Sequence, residues 1–146
     1  MTAGVFTLYA IAAWGIGFTT GLYKFEPHLD LSLVRVAIIA FFIPAIGEEV
    51  FFRGMCVPLR QNGEAALPQM ALALILFLAW HPLNAWLFFP SVLPLFSDWR
   101  FLLVTALLGA ACLYLWQRTR SLWPPILVHW LAVVLWKGFL GAPRMM

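Results

Sequence analysis

Long apolar runs separated by short polar breaks set the pattern of this chain. The first run, about Thr2 to Tyr23, contains no charged residue, and the break Lys24-Phe25-Glu26-Pro27-His28-Leu29-Asp30 follows it. Pro27 and Asp30 suit the end of one helix and the start of the next. A second run goes from about Leu31 through Arg35, Pro44 and the pair Glu48-Glu49 to about Gly54, and is closed by Pro58 and the polar stretch Arg60-Gln61-Asn62-Gly63-Glu64. The third, about Leu67 to Phe89, contains His81-Pro82, and Pro90 and Pro94 open a loop reaching Asp98 and Arg100. The fourth extends from about Phe101 to Trp116, before Gln117-Arg118-Thr119-Arg120, and the fifth from about Leu122 to Leu140, with Pro124, Pro125, His129 and Lys137 inside it. Since a membrane span needs about 20 apolar residues, these runs predict an all-α polytopic membrane bundle of about five to six transmembrane helices. Kinks are expected at Pro44, Pro82 and Pro124-Pro125, where other parts of the bundle can satisfy the freed backbone groups.

Composition agrees with this reading. Of 146 residues, 64% are hydrophobic and 10% charged, against roughly 45–50% and about 25% in soluble domains. With spans filling the sequence, residues 1–146 read as a single integral membrane domain. No lysine or arginine precedes the first run, which therefore lacks the positive flank of a signal peptide and reads as a retained span. The formal charge of +3 lies mostly at the ends of runs, which suits anionic lipid headgroups and not nucleic acid. Arg118 and Arg120 favour a cytoplasmic N-terminus by the positive-inside rule. Many of the eight tryptophans fall near expected span ends, as in an interfacial aromatic belt. Cys56 and Cys112 form neither a disulfide framework nor a metal-spacing motif.

The charged residues inside the apolar runs carry the candidate chemistry. Each costs about 2.5–3.5 kcal/mol on insertion scales, so adjacent glutamates in one span require compensation. Glu49 and Arg53 are four apart with glutamate first, the favourable order for an ion pair on one helical face. Glu48 points about 100° away round the helix and has no basic residue three or four positions from it. It is the candidate for a free carboxylate acting as general base. The bland alternative puts both glutamates at a helix end among headgroups. His81, four residues after Phe77, and His129, deep in the fifth run, favour convergence on one polar site, although a lone histidine in an apolar run is more often a hydrogen-bonded core residue.

These residues also carry a family resemblance. Glu48-Glu49-Val50-Phe51-Phe52-Arg53-Gly54 resembles the Glu-Glu-x-x-x-Arg signature of the CAAX-protease and bacteriocin-processing family, and Phe77-Leu78-Ala79-Trp80-His81, with Pro82-Leu83-Asn84 after it, resembles its Phe-x-x-x-His signature. Ser121 to His129 is similar to the approach to the third. The family comprises multi-helix membrane proteins regarded as glutamate-type proteases, some of which remove the C-terminal tripeptide of prenylated proteins. The resemblance implies that Glu48 with His81 activates the attacking water, that His129 stabilises the oxyanion, and that Glu49 and Arg53 hold the geometry, with Phe77 and Asn84 in support. It also implies membrane lipids and a membrane-anchored or lipidated protein or peptide as partners. The short bacterial members are the most similar type, implying a bacterial inner (plasma) membrane. The sequence departs from the family at Val133, where asparagine or a similar polar residue is usual and valine offers no donor; either another donor, such as Asn84 or a backbone group, completes the oxyanion hole, or the chain is a weakened or non-catalytic relative.

Two other classes remain open on sequence. Glu48, His81 and His129 also make a His₂Glu zinc set, although no His-Glu-x-x-His helix is present and the expected assignment is no cofactor. A non-enzymatic membrane immunity or interaction protein on the same scaffold would carry the motifs without using them.

Overall fold

The computed structural model describes residues 1–57 and 67–143. Among the described residues the bundle has six helices: α1 (Thr2–Thr19), α2 (Leu31–Met55, α-helical to Ala40), α3 (Leu67–Phe88), the short α4 (Leu93–Phe96), α5 (Trp99–Thr119) and α6 (Trp123–Phe139). Helices α1, α2, α3 and α5 are long and apolar enough to cross a membrane. At 17 residues, about 26 Å, α6 lies at the short end of the spanning range. The expected stop at Pro58 and Arg60 to Glu64 lies outside the described residues.

Helix α5 is the most enclosed. It buries Phe101, Val104, Thr105, Leu108, Gly109, Cys112, Leu113 and Leu115, and packs against α1, α3 and α6. Large apolar side chains such as Leu8, Ile11, Phe42, Leu72 and Trp86 point outwards, as expected where the surrounding solvent is lipid.

Several boundaries moved for local reasons. Helix α1 stops at Thr19; Gly21 adopts φ +73° and the chain folds back, with Tyr23 N–H donating to the Gly17 carbonyl at 2.9 Å. The Tyr23 ring fills the space a Cβ would occupy on Gly17. The apolar Leu22-Tyr23 pair is thus a cover on the helix end, not part of the span. Asp30 caps α2 as expected, accepting from Ser32 N–H at 2.8 Å. The strap between α1 and α2 ties down the end of α6: the N–H groups of Glu26 and His28 donate to the carbonyls of Phe139 and Gly138, each at 2.8 Å.

The stretch from Pro90 to Arg100, expected as a loop, holds a 3₁₀ turn and α4, after which Asp98 caps α5 at Trp99. The expected kink at Pro124-Pro125 is absent, because these prolines occupy the first turn of α6, where no N–H is required. Pro44 has the larger effect. Instead of a kinked α-helix, residues Phe41–Glu48 and Val50–Met55 are π-helical. Proline removes the N–H that would bond four residues back, and widening the turn to an i→i+5 ladder absorbs the fault without breaking the span.

Six of the eight tryptophans fall into two groups. Trp14, Trp86, Trp99 and Trp123 are exposed, as in a belt, whereas Trp116 and Trp130 donate inside the bundle to the carbonyls of Val57 (2.9 Å) and Ala37 (2.8 Å).

Candidate active site

The π-helical half of α2 carries Glu48, Glu49 and Arg53 into the bundle interior, α3 brings Phe77 and His81, and α6 brings His129. Glu49 and Arg53 are fully enclosed, at 0% and 1% exposure. They form the pair expected from their spacing, with Arg53 Nη1 3.2 Å from Glu49 Oε1. The guanidinium also donates from Nη2 to the Gly109 carbonyl at 3.1 Å and lies 4.3 Å from the centre of the Phe77 ring, a cation–π contact.

His129 joins this group. Its Nδ1 lies 2.8 Å from Glu49 Oε1, so against an ionised carboxylate Nδ1 carries the proton and Nε2 is turned elsewhere. Nε2 faces Glu48 Oε2 at 4.0 Å. The other Glu48 oxygen accepts from the Trp80 indole N–H at 3.2 Å, and Oε2 is buried with no hydrogen-bond partner among the described residues. Buried polar atoms are rarely left in that condition.

His81 is fixed in the same way from α3. Its Nδ1 lies 2.8 Å from the Phe77 carbonyl oxygen. A carbonyl only accepts, so Nδ1 holds the proton and the Nε2 lone pair is free. The fully buried Phe77 ring meets His81 edge-on at 4.9 Å and His129 at 5.9 Å between centroids. Spacing alone did not disclose these roles for Phe77: its carbonyl orients one histidine, while its ring seats the arginine and touches both histidines.

Glu48, His81, His129, Asn84 and Val133 all line one cavity of about 410 Å³. A second, of about 380 Å³, lies on the other side of Glu48, between Phe51, Phe52 and Trp80, and shares Ile43, Glu48 and Asn84 with the first. A carboxylate and two oriented imidazoles lining one cavity are the groups needed to deprotonate water and manage charge at a carbonyl.

The sequence profile of the Rce1-like type II CAAX prenyl endopeptidase family matches residues 30–135, from the cap of α2 to within α6. The chain belongs to this family. Membership, with the apolar helices, makes it an integral membrane protein of a peptidase family. Neither a curated protein nor a solved structure matches the chain closely enough to add a nearer relative.

In this CAAX endopeptidase family member, Val133 lines the cavity but supplies no donor, and Asn84 lines it with an amide that makes no hydrogen bond among the described residues. No three histidine, cysteine, aspartate or glutamate side chains among the described residues are grouped as metal ligands. Sequence reasoning passed over Trp80 and Gly109. The signal for Trp80 was its place beside His81, since a buried indole N–H normally finds a partner. Nothing in the sequence near Gly109 points to Arg53, because the contact runs through a backbone carbonyl on another helix.

Proposed function

We propose that the protein is a glutamate-type intramembrane endopeptidase that cleaves near the C-terminus of a membrane-anchored or lipidated protein or peptide. One observation carries this reading: Glu48, His81 and His129, from three helices, line one cavity, and Glu48 Oε2 has no hydrogen-bond partner among the described residues. A water between Glu48 and the substrate gives its proton to the carboxylate, with the free Nε2 of His81 as the second acceptor. The hydroxide attacks the scissile carbonyl, and Glu48 returns the proton to the departing amine.

The oxyanion is served by His129 in its protonated form, with Nδ1–H anchored by Glu49 and Nε2–H free to donate. Two glutamates against one arginine leave a negative surplus, which the imidazolium balances. Asn84 supplies the second donor in place of the polar residue that the family usually carries at Val133. The setting we assign is a bacterial plasma membrane, by likeness to the short bacterial relatives.

The test is cleavage of a prenylated peptide by purified protein in lipid vesicles. Glu48→Gln and His81→Asn should each lower kcat by about 10²–10⁴, the usual worth of general acid–base catalysis, while the proteins still insert and unfold cooperatively. Full activity in both variants would reject catalysis at this site and favour a binding role for the scaffold. Wild-type activity lost to a strong chelator and restored by zinc would replace the glutamate mechanism with a metal-assisted one.

A further inference from the structure

Trp80 is not a belt tryptophan. It lies thirteen residues after Leu67 and eight before Phe88 in α3, about 20 Å and 12 Å along the axis, so it stands well inside the span and not at an end. An indole N–H at that depth has no water to bond and needs a partner in the protein. Trp116 and Trp130 meet this need with backbone carbonyls. Trp80 meets it with a side chain on another helix, donating to Glu48 Oε1 at 3.2 Å.

Glu48 has little else to hold it. Among the described residues this is the one hydrogen bond its carboxylate receives, and His129 Nε2, at 4.0 Å from Oε2, is beyond hydrogen-bond reach. The last torsion of a glutamate is broad, so a carboxylate without that bond can turn in place. The two neighbours lie on different sides of it: Trp80 lines the second cavity and His129 the first, while Glu48 lines both. The carboxylate is thus set across the junction of the cavities, with Oε1 given to Trp80 and Oε2 turned to His129. His81 follows Trp80 directly in α3, and its ring is fixed by the Phe77 carbonyl. One turn of α3 therefore sets both the carboxylate and the imidazole that the proposed chemistry pairs. We propose that Trp80 is a positioning residue, whose indole N–H fixes the rotation of the Glu48 carboxylate and keeps Oε2 on the side of the cavity that His81 and His129 line. This role rests on the proposed endopeptidase activity. The ring of Trp80 also walls the second cavity, beside the exposed Ile43 and Phe51 of α2. Its bulk and its N–H are separate contributions, and the role belongs to the N–H alone.

The experiment replaces Trp80 by β-(3-benzothienyl)alanine, which has the shape of tryptophan with sulfur in place of the N–H, introduced into the full chain by stop-codon suppression. Cleavage of a prenylated peptide in phosphatidylcholine vesicles gives kcat and KM for this protein and for wild type. The exchange should lower kcat by about 10- to 100-fold, the worth of a hydrogen bond to a charged group. KM should change little, because the group affected acts on the reacting bond and not on substrate binding. The infrared difference between each protein and its Glu48→Gln counterpart isolates the carboxyl band of Glu48, and the band should move when the N–H is removed. Packing around the ring is the same in both proteins, so a purely structural role moves neither readout. Equal kcat with the two side chains overturns the proposal and leaves the peptidase reading standing, with Trp80 as a wall of the second cavity. A fall in kcat with an unmoved Glu48 band also overturns it, since the loss then does not pass through Glu48. If wild type cleaves no peptide, the peptidase reading fails. The hold of Trp80 on Glu48 is then decided by the infrared band alone: a shift supports it and an unmoved band overturns it.

Discussion

The Nδ1 atom of His129 lies 2.8 Å from Oε1 of Glu49, the same oxygen that Arg53 approaches at 3.2 Å. One carboxylate oxygen therefore joins three side chains from two helices, 80 residues apart in sequence. Glu49 is more than the partner of Arg53: it holds Nδ1 of His129 and leaves that ring's Nε2 turned to Glu48. The two adjacent glutamates are held differently: Glu49 is in direct contact with Arg53 and His129, whereas His129 Nε2 stays 4.0 Å from Glu48.

The first prediction separates them. Glu49→Gln leaves the Arg53 guanidinium buried without a counter-charge, which typically costs about 3–5 kcal/mol. Glu48→Gln removes a carboxylate whose Oε2 bonds to nothing, so its stability loss should stay below about 1 kcal/mol while cleavage falls to background. Denaturant unfolding in mild detergent, paired with cleavage assays, measures both. Equal destabilisation by the two variants would contradict this division.

The bundle and the Glu49–Arg53 pair were legible from the sequence because they depend on local quantities, namely run length and a four-residue offset. For the same reason it was legible that Glu48 has no basic residue three or four positions away in its own helix. The partners of these groups were not. That His129 bonds to Glu49, that Trp80 donates to Glu48 and that Phe77 seats Arg53 all depend on how α2, α3 and α6 are rotated against one another, which no spacing within one helix determines. The π-helical stretch around Pro44 is not legible in the sequence, because a proline inside a helix predicts a kink, whereas a chain inside a membrane has reason to keep every remaining backbone bond and widen the ladder instead.

Gly109 supports the site from outside it. A Cβ there would lie 2.6 Å from Leu74 Cδ1 and 3.1 Å from Phe77 Cδ1. Leu74 can rotate away, but the Phe77 ring is wedged between Arg53 and the histidines. Gly109→Ala should therefore cost about 1–3 kcal/mol as an overpacked core. Because Phe77 carries the carbonyl that orients His81, kcat should fall as well. A variant of normal stability and full activity would show that α3 gives way freely.

Acid stability has an identifiable contributor at the start of α5. Asp98 accepts from the Arg100 side chain, the nearer contact at 2.6 Å, and from its backbone N–H at 2.8 Å. These bonds hold its carboxyl down at about 2. Arg100 in turn donates to the Thr20 carbonyl at 2.9 Å, tying α5 to the end of α1. A depressed carboxylate binds protons more readily unfolded than folded. Its contribution is thus complete above the unfolded value near 4 and disappears as pH falls from there to about 2. The pair is partly exposed, so the effect is small. Asp98→Asn retains a helix cap and removes the charge, and should flatten the melting temperature between pH 4 and pH 2 relative to wild type. An unchanged slope would assign the acid sensitivity to other groups.

The oxyanion donor gives the most direct check on the proposed chemistry. Val133 and Asn84 both line the cavity that holds Glu48, and only the asparagine has a hydrogen to offer. A lost oxyanion donor costs about 2.7–4 kcal/mol in the transition state, or roughly 10²–10³ in kcat. Asn84→Ala should therefore lower kcat by that factor with KM little changed, since the interaction forms only as charge develops on the carbonyl oxygen. Adding Val133→Asn to Asn84→Ala places an amide at the position where the family usually has one, and should recover part of the loss. In the wild-type background the same Val133→Asn change should gain less, because one donor is already in place. If Asn84→Ala leaves kcat unchanged while Val133→Asn alone raises it a hundredfold, the native site works without a side-chain amide, and the valine is the cause of a slow enzyme.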